Sequence, residues 1–268
     1  MFAADAKVLA RIAPVVRRVI IADPNIASAR LLQDIMKSLG AREVVTEGDE
    51  ARLLDLIREV EPGIVFTERT GAQLDGEAFV RKLRRSNLAS RKVPVIMVTA
   101  EATATSIKGA RDCGVHEFLR KPFTSNDLLR RIENVSTKPR DWVEAVGYVG
   151  PDRRRFNSGE YSGPHKRKAD KPESAAESAL AVKDQALRIL ASCLVQFDKD
   201  PNQAVRAVKQ QAETLKALAI KTADARLAIA ASTLEASIEG GSVTRSSLQE
   251  PIKAILALAD AAPETRTA

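Results

Sequence analysis

Aromatic residues make up only 4% of this 268-residue chain, with one Trp, two Tyr and seven Phe. Histidine is scarcer still: His116 and His165 are the only two, so chemistry that needs a cluster of imidazoles is excluded. The two cysteines, Cys113 and Cys193, lie far apart in sequence. Neither a disulfide framework nor a cysteine-based zinc site can be built from them. No stretch approaches the roughly 18 uninterrupted apolar residues of a membrane span. Asp5 precedes the first arginines, the reverse of a secretory signal, and a cytoplasmic location is expected.

What is abundant is ordinary apolar content, 44%, which excludes wholesale disorder. The length suggests about two domains. The net charge is +7 and the pI about 9.5, which invites a nucleic-acid reading. The distribution weakens that reading. Residues 173–268 carry a net −1, while the short stretch 137–172 carries +4.

From residue 17 to 136 short β-branched runs alternate with helical periods. The runs are Arg18–Asp23, Glu43–Thr46, Gly63–Thr67, Val93–Val98 and Val115–Leu119. Continuous apolar stretches such as Val95-Ile96-Met97-Val98 indicate strands buried on both faces, as in a parallel sheet. Between them, Ile26 to Leu39 keeps helical spacing up to a C-terminal Gly40, and Ile107 to Cys113 does so up to Gly114. Leu53 to Val60 forms another helix before Pro62, and Phe79, Val80 and Leu83 another. The last, Leu128 to Val135, has Thr124 or Ser125 as N-cap. Five strands alternating with five helices predict an α/β, doubly wound, five-stranded parallel sheet. Polar chemistry in such sheets gathers at the carboxyl ends of the strands, here Asp23, Glu68, Thr99 and Lys121.

Residues 1–16 read as an N-terminal extension. Residues 137–172, with Arg153-Arg154-Arg155 and His165-Lys166-Arg167-Lys168, read as a basic linker whose first part Trp142 and Tyr148 could dock. Residues 173–262 are Ala- and Leu-rich. Leu180, Leu187, Leu190 and Leu194 mark a first helix, and Val205 to Ala219 a second, with Pro201 opening it and Asp200 as cap. Leu227 to Ile238 mark a third, ended by Gly240-Gly241, and Ile252 to Ala259 a fourth, which Pro251 begins or kinks. This predicts an all-α four-helix bundle, followed by a frayed tail, 263–268.

The strand ends carry a resemblance. Met97-Val98-Thr99-Ala100-Glu101-Ala102, Phe118-Leu119-Arg120-Lys121-Pro122-Phe123-Thr124 and Leu74-Asp75-Gly76 resemble segments of the response-regulator receiver (CheY-like, flavodoxin-like) family, and Asp23 stands where that family's acidic pair begins. The resemblance implies a pocket in which a carboxylate accepts a phosphoryl group from a phosphohistidine. An acidic pair holds Mg²⁺, and a Lys and a Ser or Thr hydroxyl stabilise the phosphoryl charge. By the family's spacing the phosphoacceptor position falls on Glu68 rather than Asp, and the second acid on Pro24, while Thr99 and Lys121 match. Pro24 has no oxygen side chain, so Asp23 remains as the one metal-ligand candidate of the pair and Mg²⁺ is not an expected cofactor. Glu68 carries its carboxylate roughly 1.5 Å further out than Asp would. Its permanent charge is expected to pair with Lys121 and accept from Thr99 without phosphorylation. Phe118 falls on the family's aromatic switch position, though as a residue it reads first as a packed strand side chain. His116 reads as a partly exposed strand residue.

In the helical part, Ala212-Glu213-Thr214-Leu215-Lys216-Ala217 resembles the histidine-phosphotransfer signature, with Glu213 at the histidine position and Lys216 matching. On the residues alone, Glu213 and Lys216 are an ordinary helix pair flanking a core stripe of Ala212, Leu215 and Ala219. The two resemblances together imply a non-enzymatic signalling adaptor in a two-component phosphorelay. A histidine kinase, a phosphotransfer protein or another response regulator is its expected partner, with self-association through the helices a further expectation. Two alternatives stand beside it: a genuine Mg²⁺-dependent phosphoacceptor, and a nucleic-acid binder acting through Arg153–Lys171.

Overall fold

In the computed structural model, residues 6–153, 175–240 and 243–260 are described. They group into two units: residues 6–143 with 148–153, and residues 144–147 with the helices from 175 onward.

The first unit is built on a five-stranded parallel sheet in the order β2-β1-β3-β6-β7, formed by β1 (Arg18–Ala22), β2 (Glu43–Glu47), β3 (Ile64–Thr67), β6 (Val95–Thr99) and β7 (Glu117–Arg120). The apolar strand runs fold this way because each feeds two cores. Ile20 and Ala22 of β1, Val65 of β3, and Val95 and Met97 of β6 point to one side of the sheet. Val19, Ile21, Ile64, Phe66, Ile96 and Val98 point to the other. The period-2 alternation of side chains makes this unavoidable once both faces are covered. The edge strand β2 has no fully buried residue; its Val44 and Val45 are half-buried against opposite cores.

The first core is covered by α3 (Glu50–Val60), α4 (Gly76–Arg85) and α5 (Ala104–Cys113). The second is covered by α1 (Ala6–Val16), α2 (Ile26–Ser38) and α6 (Ser125–Thr137). The caps follow the sequence chemistry. Asn25, Asp49, Asp75, Thr103 and Thr124 each accept a backbone N–H of the helix they precede, and Thr124 and Asp127 close a reciprocal capping box. Gly40 and Gly114 end α2 and α5 with φ of 96° and 101°, a region that favours glycine.

Three elements differ from the sequence reading. Residues 6–16, read as an extension, form α1, whose Ile12 and Val16 are fully buried in the same core as β1. A short antiparallel ribbon, β4 (Thr70–Gly71) with β5 (Leu74–Asp75), stands between β3 and α4. The start of the basic linker forms a second ribbon, β8 (Trp142–Glu144) with β9 (Val149–Pro151). Arg153 ion-pairs with Asp112 at 3.1 Å and stacks over the Tyr148 ring, 4.4 Å from its centroid. The rest of the basic linker, from residue 154 to 172, lies outside the described residues, as does the tail.

The second unit contains α7 (Ala175–Gln196), α8 (Pro201–Thr222), α9 (Ala225–Glu239) and α10 (Arg245–Asp260). Its α7 packs on α8, α8 on α9, α9 on α10 and α10 on α7. Leu187, Leu190, Val208, Ala212, Leu215, Ala219, Leu227, Leu234, Ile252 and Ile255 fill the middle. Asp200 caps α8 with Pro201 at its first turn. Pro251 lies inside α10 rather than at its start. Leu180 keeps the helical apolar spacing of α7, yet it is exposed and belongs to no core. Glu144, from the 144–147 segment, is buried and accepts from Gln203 Nε2 at 3.1 Å, and its carbonyl accepts from Gln211 Nε2 at 3.3 Å.

Candidate functional site

The parallel ladder brings four predicted residues to one rim. Asp23 follows β1, Glu68 follows β3, Thr99 ends β6 and Lys121 follows β7. The hydrogen bonding continues one residue past the strands: Asp23 N donates to Glu47 O, Glu68 N to Ala22 O and Lys121 N to Thr99 O. Each side chain therefore leaves from a fixed backbone position.

Lys121 is the centre. Its Nζ donates to Glu68 Oε2 at 2.7 Å and to Asp23 Oδ2 at 2.9 Å. Burial works against the ammonium, but the hydrogen bonds and charge of Glu68 and Asp23 outweigh it, and the lysine pKa is raised above its ordinary value. The remaining carboxylate oxygens are occupied as well. Asp23 Oδ1 accepts from Asn25 N at 2.9 Å, and Glu68 Oε1 from Arg69 N at 2.7 Å. The Asp23 side chain is almost wholly buried, that of Glu68 nearly so.

Thr99 does not join this pair as expected. Its Oγ1 accepts from Glu101 N at 3.3 Å, and among the described residues no hydrogen bond links it to Glu68. The longer Glu side chain reaches Lys121 and stops there. Phe118 is buried in the core with Val95, Met97 and Ala110, the packed strand residue that its position in β7 suggests.

Pro24 has a definite structural place. Its ring lies so close to Gly71 of the β4–β5 ribbon that a Cβ there would come within 2.2 Å of Pro24 Cγ, and a Cβ at Gly48 would stand 3.0 Å from Pro24 Cα. The residue next to Asp23 is therefore a tightly packed apolar ring with no oxygen donor in its side chain.

That bears on Mg²⁺, which requires a near-octahedral set of oxygen donors. Pro24 supplies none. The two carboxylates present are engaged by Lys121 and by backbone N–H groups. Among the described residues no group of three or more His, Cys, Asp or Glu is arranged to hold a metal. These residues do not fit the ion.

Sequence reasoning missed a network beside the pocket. Arg69 Nε donates to Glu77 Oε1 at 3.1 Å, Arg69 also pairs with Glu101 through Nη1, and Arg81 pairs with Glu77 at 2.9 Å. Glu101 is held three ways: by Arg69 at its carboxylate, by Thr99 at its N–H, and by Ser106 Oγ, which donates to its carbonyl at 2.8 Å. The adjacency of Arg69 to Glu68 was the one available signal; the reach to Glu101 was not.

His116 is partly exposed as a residue, but its Nδ1 accepts from Val95 N at 3.2 Å and faces Arg84 Nη2 at 3.3 Å. Burial first, then Arg84 and Arg140, push its pKa well below the ordinary 6.5. It is a neutral structural acceptor.

In the second unit Glu213 is exposed on α8. Lys216 bonds not to Glu213 but to Glu235 of α9, at 2.5 Å. Among the described residues no ion pair or hydrogen bond engages the Glu213 carboxylate.

Residues 19–133 match the family model described as "Response regulator receiver domain". The match includes Asp23, Glu68, Thr99 and Lys121. Over 118 residues, 44% of the chain and 91% of the relative, the protein is 27% identical to a probable chemotaxis protein CheY of Rhizobium etli. It is 25% identical over 116 residues to the DNA-binding response regulator MtrA of Mycobacterium tuberculosis, where the match spans 43% of this chain and 49% of that one. Among solved structures, a putative response regulator from Chloroflexus aurantiacus aligns over 46% of this chain and 98% of its own, with a TM-score of 0.43 and 20% identity. The receiver domain of sensor histidine kinase PA1611 from Pseudomonas aeruginosa, solved with magnesium coordinated in its active-site cleft, aligns over 45% and 96%, with a TM-score of 0.41 and 22% identity. Residues 19–133 are a response regulator receiver domain of the two-component signalling type.

Proposed function

We propose that this receiver is an atypical one whose pocket is set without phosphoryl transfer, and that the chain works as a non-enzymatic signalling adaptor. The proposed division is a receiver over 17–136, a basic linker over 137–172 and a phosphotransfer-like helical bundle over 173–262. The observation that carries the reading is Lys121 Nζ held at once by Glu68 and Asp23. In a phosphoacceptor pocket that lysine awaits a charge still to arrive. Here a permanent carboxylate already supplies it, and the Pro24 ring supplies no metal ligand. The bundle keeps Lys216 and replaces the transferable histidine with Glu213, so it supports docking on receivers or kinases without relay.

The test is incubation of the full chain with acetyl phosphate, and separately with beryllofluoride, each with Mg²⁺. Intact mass and amide NMR spectra are the readouts. Unchanged mass and spectra are expected. Stoichiometric, Mg²⁺-dependent modification at Glu68 defeats the reading and establishes the phosphoacceptor alternative. Capture of the host's kinases, phosphotransfer proteins or response regulators by the unmodified chain tests the adaptor role.

A further inference from the structure

We infer that the helical unit carries a groove for an extended acidic and apolar peptide, and that the chain closes this groove with its own residues 144–147. The inference rests on the second unit alone and is independent of the reading of the receiver pocket.

Buried positions of an amphipathic helix are normally apolar, as Ala204, Ala207, Val208 and Ala212 are in α8. Gln203 and Gln211 break that pattern. Both are buried, Gln203 completely. A buried amide is costly unless its hydrogen bonds are met. Among the described residues, the side-chain bonds of both glutamines go to one short segment, 58 to 67 positions upstream.

Gln203 Nε2 donates to Glu144 Oε1 at 3.1 Å and, at 3.5 Å, to the Ala145 carbonyl. Gln211 Nε2 donates to the Glu144 carbonyl at 3.3 Å. Two of these acceptors are main-chain carbonyls, which any peptide presents. The third is a carboxylate, which selects Glu. Peptide-binding grooves divide their work in this way, with main-chain bonds holding the ligand and side chains selecting it. Burial alternates along the segment: Glu144 and Val146 are buried, Ala145 is half-buried and Gly147 is exposed. That is the period of an extended chain laid with one face inward. Gly147 passes the end of α7, where an added Cβ would stand 3.7 Å from Gln196 Oε1. The ligand class follows from these contacts: an extended segment with Glu and, two residues on, an apolar side chain.

Residues 144–147 fill the groove incompletely. Gln203 Oε1 is buried and receives no hydrogen bond among the described residues. An unmet buried acceptor is a standing cost, and a ligand that offers it an N–H gains what residues 144–147 forgo. The covalent tether favours the resident segment. A tethered ligand acts at an effective concentration on the order of mM, which a free peptide must exceed before it competes. The groove is thus a docking site held shut by its own chain, and its outside occupant is an extended segment of a partner protein with the same Glu-x-Val chemistry.

The probe is a fluorescent peptide of residues 141–149, titrated into the full chain and followed by anisotropy. Wild type is compared with Glu144→Lys and with a chain whose residues 144–147 are replaced by Gly-Ser-Gly-Ser. Circular dichroism confirms folding, and the replaced chain stands in should Glu144→Lys fail. Both opened chains are expected to bind the peptide at least roughly tenfold more tightly than wild type does. Binding should shift the side-chain amide NMR signals of Gln203 and Gln211. Adding Gln203→Leu to an opened chain, or placing Lys at the peptide's Glu, should weaken binding by a similar factor. Opened chains that do not bind at mM peptide overturn the inference. So does a wild type that binds as tightly as they do, or binding indifferent both to Gln203→Leu and to the Lys-bearing peptide.

Discussion

Glu68 Oε2 sits 2.7 Å from Lys121 Nζ, although the two residues are 53 positions apart in sequence and on non-adjacent strands. The sheet order places β6 between them, and the extra methylene of Glu spans the gap. Asp23 completes the arrangement from β1. Two carboxylates share one ammonium, so removing the ammonium leaves both without their cation. Lys121→Met is expected to destabilise the folded chain by about 1–3 kcal/mol, short of the fully buried case because the lysine keeps some exposure. The contribution has a definite pH window. A lysine whose folded pKa is raised above the ordinary 10.5 stabilises fully below that value and loses the effect as pH rises through the folded value. Urea titrations of wild type and variant should therefore differ at pH 7 to 9 and converge in strong alkali.

His116 gives the opposite sign. Its folded pKa lies well below 6.5, so the unfolded chain binds the proton that the folded chain refuses. The stability linked to His116 is present above pH 6.5 and is lost as pH falls below it, with a slope of up to about 1.4 kcal/mol per pH unit. His116→Asn retains a side-chain acceptor for Val95 N and cannot titrate. Between pH 6.5 and 5 its stability curve is expected to be flatter than that of wild type. Equal slopes would show that the imidazole is not excluded from protonation.

Arg84 is completely buried and has no carboxylate partner among its hydrogen bonds in the described residues. Burial lowers its pKa to about 10, still well above neutral pH. The guanidinium donates to the carbonyls of Gly114, Arg91 and Val93, at 3.0, 2.7 and 2.9 Å, and lies 5.4 Å from the Trp142 ring centroid. A lysine cannot reproduce that planar fork. Arg84→Lys is expected to cost about 2–4 kcal/mol, since buried carbonyls lose charge-assisted donors. Trp142 is the sole tryptophan, so its emission reports the same site directly. A shifted emission maximum with lowered Tm is the expected outcome, and an unchanged spectrum would mean that Arg84 does not seat the ring.

Much of the first unit was legible because its information is local or periodic. Val95-Ile96-Met97-Val98 could only be a strand buried on both faces, and it feeds both cores. Gly40, Gly114 and Thr124 marked their helix ends through chemistry confined to one turn. The rim residues were legible because strand ends converge in this topology. What the chain did not disclose depends on distance. Arg69 meets Glu101, 32 residues away, and Lys216 meets Glu235 across a helix pair. No spacing rule encodes either. The β4–β5 ribbon has two residues per strand, too few for a period to register. Leu180 misled in the other sense, since apolar spacing identifies a helix face without saying that anything covers it.

Gly76 offers a test of how the pocket is held. It begins α4 directly after its cap Asp75, and its N–H donates to Arg69 O at 2.8 Å. A Cβ added at Gly76 would stand 2.0 Å from the Glu68 carbonyl and 2.9 Å from Thr67 Oγ1, so backbone must move. Gly76→Ala is expected to destabilise by about 1–3 kcal/mol through this overlap and to displace Glu68 from Lys121. If the displacement occurs, part of the loss caused by Lys121→Met has already happened in the Gly76→Ala background. The double variant should then be less destabilised than the two single effects together, as coupled neighbours require. Gly40→Ala is the control. It has open space around its Cβ, and its strain comes only from a φ of 96°, so it should lose stability yet add fully to Lys121→Met. Full additivity at Gly76 as well would show that the glycine sets the helix start without setting Glu68.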